Sequence, residues 1–380
     1  LAADIGIGLT YSRVNANVIP ADVYGVAINF MANRTPLAAR LPTSPCGSAS
    51  FLVTNDKYRG TNITASVIGS TGTTTVTVSD GNQFMKGDVI EIDNEQMLVT
   101  ADPSGTGNND LTVTRGYAGT TAATHLAAAT VYLIGNTRTG GEVDVNGASK
   151  IPTTVTQWLQ NFQHPYAIAG SLAAKTNLAL PPGVAGAIGR EKAMAIQHCM
   201  DDIERACYYG RSVSLGSTTA RPQMAGLRSL LTTNNVTSPT SASAYKPTDL
   251  MRDVFEPAYR AGGNPDILLV STNFMLGLAT WGHAAQRIDA GRTVFGTPVN
   301  VFESPFLMGV SIIPCPLLRP YTAIALTSNE VQLRVGRQMF DQARGNRGDA
   351  IEGDIIAELA LEVHNEDHHA MVTGITGWSA

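Results

Sequence analysis

Charge is what this sequence has least of. Asp, Glu, Lys and Arg make up 15% of its 380 residues, against roughly a quarter in an ordinary soluble domain. So sparse a set suits a protein that covers much of its surface with neighbours, although a neutral surface rich in Ser and Thr gives the same figure. Basic clusters are missing too. With 26 Lys and Arg against 31 Asp and Glu, for a formal net charge of -5, no run of cations stands ready to displace counterions from phosphates. That argues against a nucleic-acid reader. No apolar run reaches the roughly 18 residues that cross a bilayer, so no membrane contact is expected. The opening LAADIGIGLTYSRVNANVIP lacks the basic start and continuous apolar stretch of a signal peptide. The chain begins at Leu1 and not at Met, so a preceding segment is expected.

Cysteine is scarce as well. Cys46, Cys199, Cys207 and Cys315 include no Cys-x-x-Cys pair, which removes the usual zinc and redox motifs. Cys199 and Cys207 are eight apart on one predicted helix, roughly 12 Å along its axis, too far to bond each other. Reduced, buried thiols and synthesis in the cytoplasm are expected.

What is present is a globular composition, 43% hydrophobic, in a chain long enough for two or three cores. Residues 1–50 carry Pro20, Pro36, Pro42 and Pro45. They read as an extended arm with one short helix near Ala21–Ala32. Residues 51–59 alternate like a strand, and so do residues 141–147. The two are expected to pair as a long hairpin, marginal alone in water. Between them, residues 62–135 hold five or more short Thr/Val-rich strands with period two, the pattern of a small antiparallel barrel or sandwich. Asp93-Asn94 is one of its turn signals.

The clearest helix runs over 189–209. Ala193, Ile196, Met200, Ile203 and Cys207 recur at three and four and are expected to form its buried stripe against the tail strands near Ile355–Val363. Asp201 and Arg205 are expected to pair on its wet face and Glu204 to face solvent or a neighbour. From about Tyr245 helices and apolar strands alternate as an α/β layer, including GVSIIP, YTAIALT and VQLRV, and the tail returns as long alternating strands.

No Walker loop, dinucleotide fingerprint or nucleophile elbow is present. The best catalytic candidate is the tail cluster His364, Glu366, His368 and His369, of which His364, Glu366 and His368 would share one side of a strand and could hold a metal. The competing reading is a satisfied polar strand face, because three ligands on one flat strand rarely converge. The acidic stretch Asp80, Asp88, Glu91, Asp93 and Glu95 lacks the spacing of a calcium loop. No cofactor, resident metal or catalytic residue is therefore assigned.

Several stretches together resemble the Hong-Kong-97-type major capsid proteins of tailed bacteriophages. They are NRTPLAARLP (33–42), GDVIEIDNEQMLVT (87–100), TRGYAGTTAATH (114–125) and LQNFQHP (159–165), then GREKAMAIQHCMDDIERACYYG (189–210). ILLVSTNFMLGLATWG (267–282), GDAIEGDIIAELALEVHNEDHHA (348–370) and GITGW (374–378) complete the set. The resemblance implies an α+β fold with an N-arm at 1–50 and an E-loop at 51–61 and 136–150. The small all-β domain of 62–135 would be inserted in that loop. A P-domain would comprise 151–221 and 346–380 with its spine helix at 189–209, and an A-domain 222–345. It implies a non-enzymatic shell subunit that assembles with itself as hexamers and pentamers around double-stranded DNA. Scaffolding, portal and cement or decoration proteins would be its other partners, and contact with the packaged DNA would be non-specific. The alternatives are a nanocompartment shell of the encapsulin kind, a tail or adhesion module, and an enzyme using His364, Glu366 and His368.

Overall fold

A computed structural model describes residues 34–55, 62–140, 153–173, 186–216, 221–281, 286–294, 297–302, 309–345 and 348–379. The helix expected near Ala21–Ala32 and the strand expected at 141–147 lie outside them. Contacts divide the chain into two units, Leu1–Asn55 with Thr154–Ala380, and Asp56–Thr153.

The chain enters through β1 (Thr43–Pro45) and β2 (Ser50–Asn55). It then builds the smaller unit from β3 (Asn62–Ile63), β4 (Thr75–Thr77), β5 (Asp88–Ile92), β6 (Glu95–Val99), β7 (Asp110–Thr114) and β8 (Thr130–Asn136). Their order is β3-β8-β5-β6-β7-β4. The first and last strands of that order also meet. Thr64 bridges Val78, Ala65 N donates to Thr77 O at 2.8 Å and Ser79 N to Ile63 O at 3.0 Å. The sheet is thus a closed barrel, the arrangement that leaves no open edge. Period-two alternation sends Val76, Val78, Ile90, Ile92, Met97, Val99, Leu111, Val113 and Val131 inward. Asp93 takes φ 55° in the two-residue turn where Ile92 faces Glu95.

Two members of the acidic stretch, Asp88 and Glu95, serve this barrel from within. The buried Asp88 accepts from Met85 N at 2.8 Å and from the Asn136 amide at 2.9 Å. Glu95 is 1% exposed and accepts from Arg115 Nε at 2.7 Å, Ala123 N at 2.8 Å and Gly116 N at 3.1 Å. Burial would raise its carboxyl. The bonds from Arg115, Ala123, His125 and Gly116 together outweigh that and hold it at about 2.

The larger unit continues with β9 (Thr153–Trp158), β10 (Gln160–Ala169), α1 (Gly170–Ala173), α2 (Gly186–Tyr209), α3 (Leu227–Leu230) and β11 (Asn235–Thr237). Helix α4 (Pro247–Leu250) runs through a π turn into α5 (Glu256–Arg260). Then follow β12 (Ile267–Val270), α6 (Thr272–Thr280), β13 (Gln286–Val294), β14 (Thr297–Phe302), β15 (Val310–Pro314) and β16 (Ala323–Leu326). The chain ends with β17 (Val331–Ala343), β18 (Ala350–Val363) and β19 (Ala370–Thr373). One sheet has the order β1-β17-β18-β10 and another β11-β19-β16-β12-β15-β14-β13, while β2 pairs with β9. Pro165 sits in β10, an edge strand, where a missing N–H is tolerated.

Three expectations change here. The partner of β2 is β9, further along the chain than 141–147. VQLRV belongs to β17, which pairs with β18 and leaves the 222–345 layer, whereas β19 of the tail joins the seven-stranded sheet. The two sheets also share one core: Ile203, Leu333, Ile355 and Leu361 cluster with Leu269, Ile313, Ile324 and Met371. A boundary read from changes of local pattern cannot see such crossing, because strand exchange between sheets leaves the period of two unchanged.

Candidate functional site: a buried carboxylate anchor and a histidine turn

Helix α2 packs on β10 and β18. Its contact face holds Ala195, Cys199, Ile203, Ala206 and Cys207, all buried. Of the expected stripe, Ile203 and Cys207 are buried, Ala193 and Met200 are half-buried, and Ile196 is 41% exposed. Small side chains at 195 and 199 let the helix approach the sheet closely, so the buried stripe is turned by one residue in its first half. Burial raises the Cys199 thiol to about 11 and Cys315 to about 12, and Cys207 rises as well. All three are free, buried thiols without nucleophilic character.

The expectation for Glu204 is overturned: it is fully buried. Leu41 N donates to Leu37 O at 3.1 Å and Ala39 N to Thr35 O at 3.3 Å, so residues 35–41 make a helical turn. The first N–H groups of such a turn have no internal acceptor. Leu37 N and Ala38 N instead donate to Glu204 Oε1 and Oε2 at 3.0 and 2.7 Å. Tyr208 Oη adds a third donor at 2.5 Å, and burial raises its phenol, which keeps the proton in place. Burial pushes the Glu204 carboxyl up, against the pull of these bonds, and nearby Asp201 pushes it further. Asp201 is not on a wet face either. It is 4% exposed and pairs with Arg34 at 3.1 Å, with Arg205 more distant at 3.8 Å. Just beyond, β1 runs parallel to β17, Thr43 facing Leu333. Three contacts therefore fix the entering segment: Arg34 on Asp201, Leu37 and Ala38 on Glu204, and β1 on β17.

The tail candidates do not converge. β18 ends at Val363, Asn365 takes φ 47°, and Glu366–His368 is a short 3-10 turn, so the one-sided strand does not exist. His364 Nε2 lies 3.0 Å from Glu362. Glu366 caps the backbone N–H groups of Thr232 and Thr233 at 3.0 and 3.1 Å. His368 Nδ1 meets Glu330 at 2.8 Å. Among the described residues no group of three or more His, Cys, Asp or Glu is placed to hold a metal.

The residue that organises the turn is their neighbour His369, fully buried. Its Nδ1 accepts from Thr327 N at 3.1 Å and its Nε2 faces His364 O at 3.1 Å, which requires the neutral ring protonated on Nε2. Burial lowers its pKa from 6.5 to about 4. Residue spacing alone does not reveal that Glu204, Asp201 and His369 are buried. The usable signal was a Glu two residues before the ACYY ending, where a solvated face should not persist.

The chain matches the model of the family described as "SU10 major capsid protein" over residues 6–376. No curated protein matches it by sequence. Among solved structures it is similar to the holo-SrpI encapsulin complex from Synechococcus elongatus PCC 7942, with 12% identity, TM-score 0.50 and 96% of each chain covered. At that identity the likeness concerns the fold alone. A structure of Mycobacterium phage Adephagia gives 10% identity and TM-score 0.48, covering 96% of this chain and 97% of that one. One of the Phage G gp27 major capsid proteins and gp26 decoration proteins gives 10% and 0.46, covering 97% and 100%.

Proposed function

The chain belongs to the SU10 major capsid protein family, and on that premise we propose that it assembles with itself, as hexamers and pentamers, into an icosahedral shell around the double-stranded DNA of a tailed phage. That it is a structural shell protein of Hong-Kong-97 type, and not an enzyme, follows from the family itself. The finer reading rests above all on the match across residues 6–376, nearly the whole chain. In it the segment before β1 is the N-arm, α2 the spine helix, the β2/β9 pair the root of the E-loop, and the barrel its insertion. The four-stranded sheet is the P-domain and the seven-stranded sheet the A-domain. The place of action is the virion, with scaffolding, portal and decoration proteins as partners and non-specific contact with DNA.

The fold likeness to an encapsulin favours a second reading, a nanocompartment shell. Negative-stain images of the expressed chain, followed by analysis of particle contents, test both. Uniform closed shells are expected. Shells produced during phage growth that enclose protein cargo and no DNA favour the second reading, and a persistent monomer overturns both.

A further inference from the structure

Three arginines far apart in sequence line one open cleft of about 460 Å³ with Tyr209 and Ser229. Arg211 follows the end of α2, Arg228 lies in α3, and Arg319 lies in the connection from β15 to β16. An adjoining hollow of about 230 Å³ shares Tyr209, Arg228 and Arg319. No carboxylate lines either space among the described residues. The other arginines of this unit mostly do have acidic partners, as in Arg334–Glu362, Arg344–Asp354 and Arg260–Glu256. Arg319 is held in place without one. Its guanidinium stacks 4.6 Å from the Tyr209 ring centroid, and its backbone N–H donates to Tyr209 Oη. Burial raises the Tyr209 phenol while Arg319 and Arg228 oppose the rise, so both cations are within electrostatic reach of that oxygen. One cation near the end of α2 would answer the helix dipole. Three, on three elements around a shared space, exceed that need in a chain whose net charge is -5.

We infer that this cleft binds phosphate groups. The planar guanidinium fork matches phosphate oxygens two at a time, and the space accommodates a diphosphate or two successive phosphodiesters. The Tyr209 hydroxyl adds polar surface, while the Ser229 hydroxyl, which donates to Gly210 O at 2.7 Å, only lines the wall. The ligand chemistry has two sources, a free phosphate anion or a nucleic-acid backbone, and the measurement separates them. It does not depend on the shell reading.

The test uses the full chain, wild type against Arg211→Gln, Arg228→Gln and Arg319→Gln, singly and together, with Arg228→Lys as the charge-conserving comparison. Pyrophosphate binding is read by calorimetry and binding of a short DNA duplex by fluorescence anisotropy across a salt series. Circular dichroism checks folding, which these exposed substitutions should preserve. The wild type should bind, each Gln variant should lose about tenfold or more, and Arg228→Lys should retain part of the affinity. Duplex binding whose log–log salt slope falls by about one per arginine removed identifies the backbone source. Binding of pyrophosphate alone identifies the free anion. Failure of the wild type to bind either ligand overturns the inference, as does unchanged binding by the folded triple variant. Variants that alter self-association while the wild type binds neither ligand would assign the cleft to carboxylates of a second copy, which also overturns it.

Discussion

Leu37 N donates to Glu204 Oε1 at 3.0 Å across 167 positions of sequence. With Ala38 N and Tyr208 Oη on the same carboxylate, it ties the entering segment to the long helix. Truncating Glu204 leaves three donors without their acceptor, one of them only part-buried. An unpaired buried donor costs about 1–3 kcal/mol, and the relief from no longer burying the carboxyl offsets part of the sum. Glu204→Ala should lower the unfolding free energy by about 2–4 kcal/mol and expose the segment around Leu37 to protease, while neighbouring Arg205→Ala, on the exposed side, stays within about 0.5 kcal/mol. Denaturant melts and limited proteolysis read both, and equal behaviour of the two variants would contradict the anchor.

The same helix separates two isoleucines. Ile203 is 2% exposed and Ile196 is 41% exposed. Ile203→Ala removes buried methyl groups and leaves a cavity, a loss of about 2–5 kcal/mol. Ile196→Ala should change the stability of the isolated chain by less than about 0.5 kcal/mol. If instead it lowers only the yield of particles, the exposed side of α2 is covered in the assembly.

Much of this was legible in the residues. Alternation marked the barrel strands, because a strand with one dry face must repeat every second residue. The 3.6 period marked α2, and its packing on Ile355–Val363 holds. The register of the stripe was not legible, because hydrophobicity ranks Ile196 and Met200 above Ala195 and Cys199. Close packing on a sheet ranks them the other way. The burial of Glu204 and of His369, the latter grouped in the sequence only with its polar tail neighbours, escaped because a buried polar group is recognised by its partners, here Leu37 and Thr327, and neither lies nearby in sequence. The arginines of the cleft escaped for the same reason: Arg211, Arg228 and Arg319 form no run.

His369 is kept neutral by burial, its pKa lowered from 6.5 to about 4. The unfolded chain therefore binds this proton first as pH falls. The contribution is intact above 6.5, shrinks as pH drops from there and is fully lost below about 4, a total on the order of 3 kcal/mol. Thermal melts at neutral pH and at pH about 5 should differ by roughly 2 kcal/mol from this group. His369→Gln should be less stable at neutral pH and show a smaller difference between the two conditions. An equal difference would remove His369 as its source.

Gly277 in α6 faces Trp378. A Cβ there would stand 2.1 Å from the indole, which also meets Phe274 edge-on at 4.9 Å and Trp281 at 5.6 Å. Gly277→Ala must push the indole out of this aromatic cluster, at a cost of about 1–3 kcal/mol. Tryptophan emission should shift to the red and the chain should melt earlier. Unchanged emission would mean that the tail does not dock on α6.

The barrel should be separable from the rest. It has its own core, from Ile68 to Val131, and its strand order closes on itself through Thr64 and Val78, so its backbone donors and acceptors are met locally. Glu95 fixes the 115–125 loop through Arg115, Gly116 and Ala123, again within the same unit. β2 and β9, which flank the insertion, are neighbours in one sheet. Replacing residues 56–152 by a short Gly/Ser linker should therefore leave a folded larger unit, because loop-closure entropy changes only slowly with length. The excised piece should melt cooperatively alone, and Glu95→Gln should lower its midpoint. Circular dichroism of both pieces is the measurement. A larger unit that loses the helical signal of α2 without the insertion would show that the two cores are not independent.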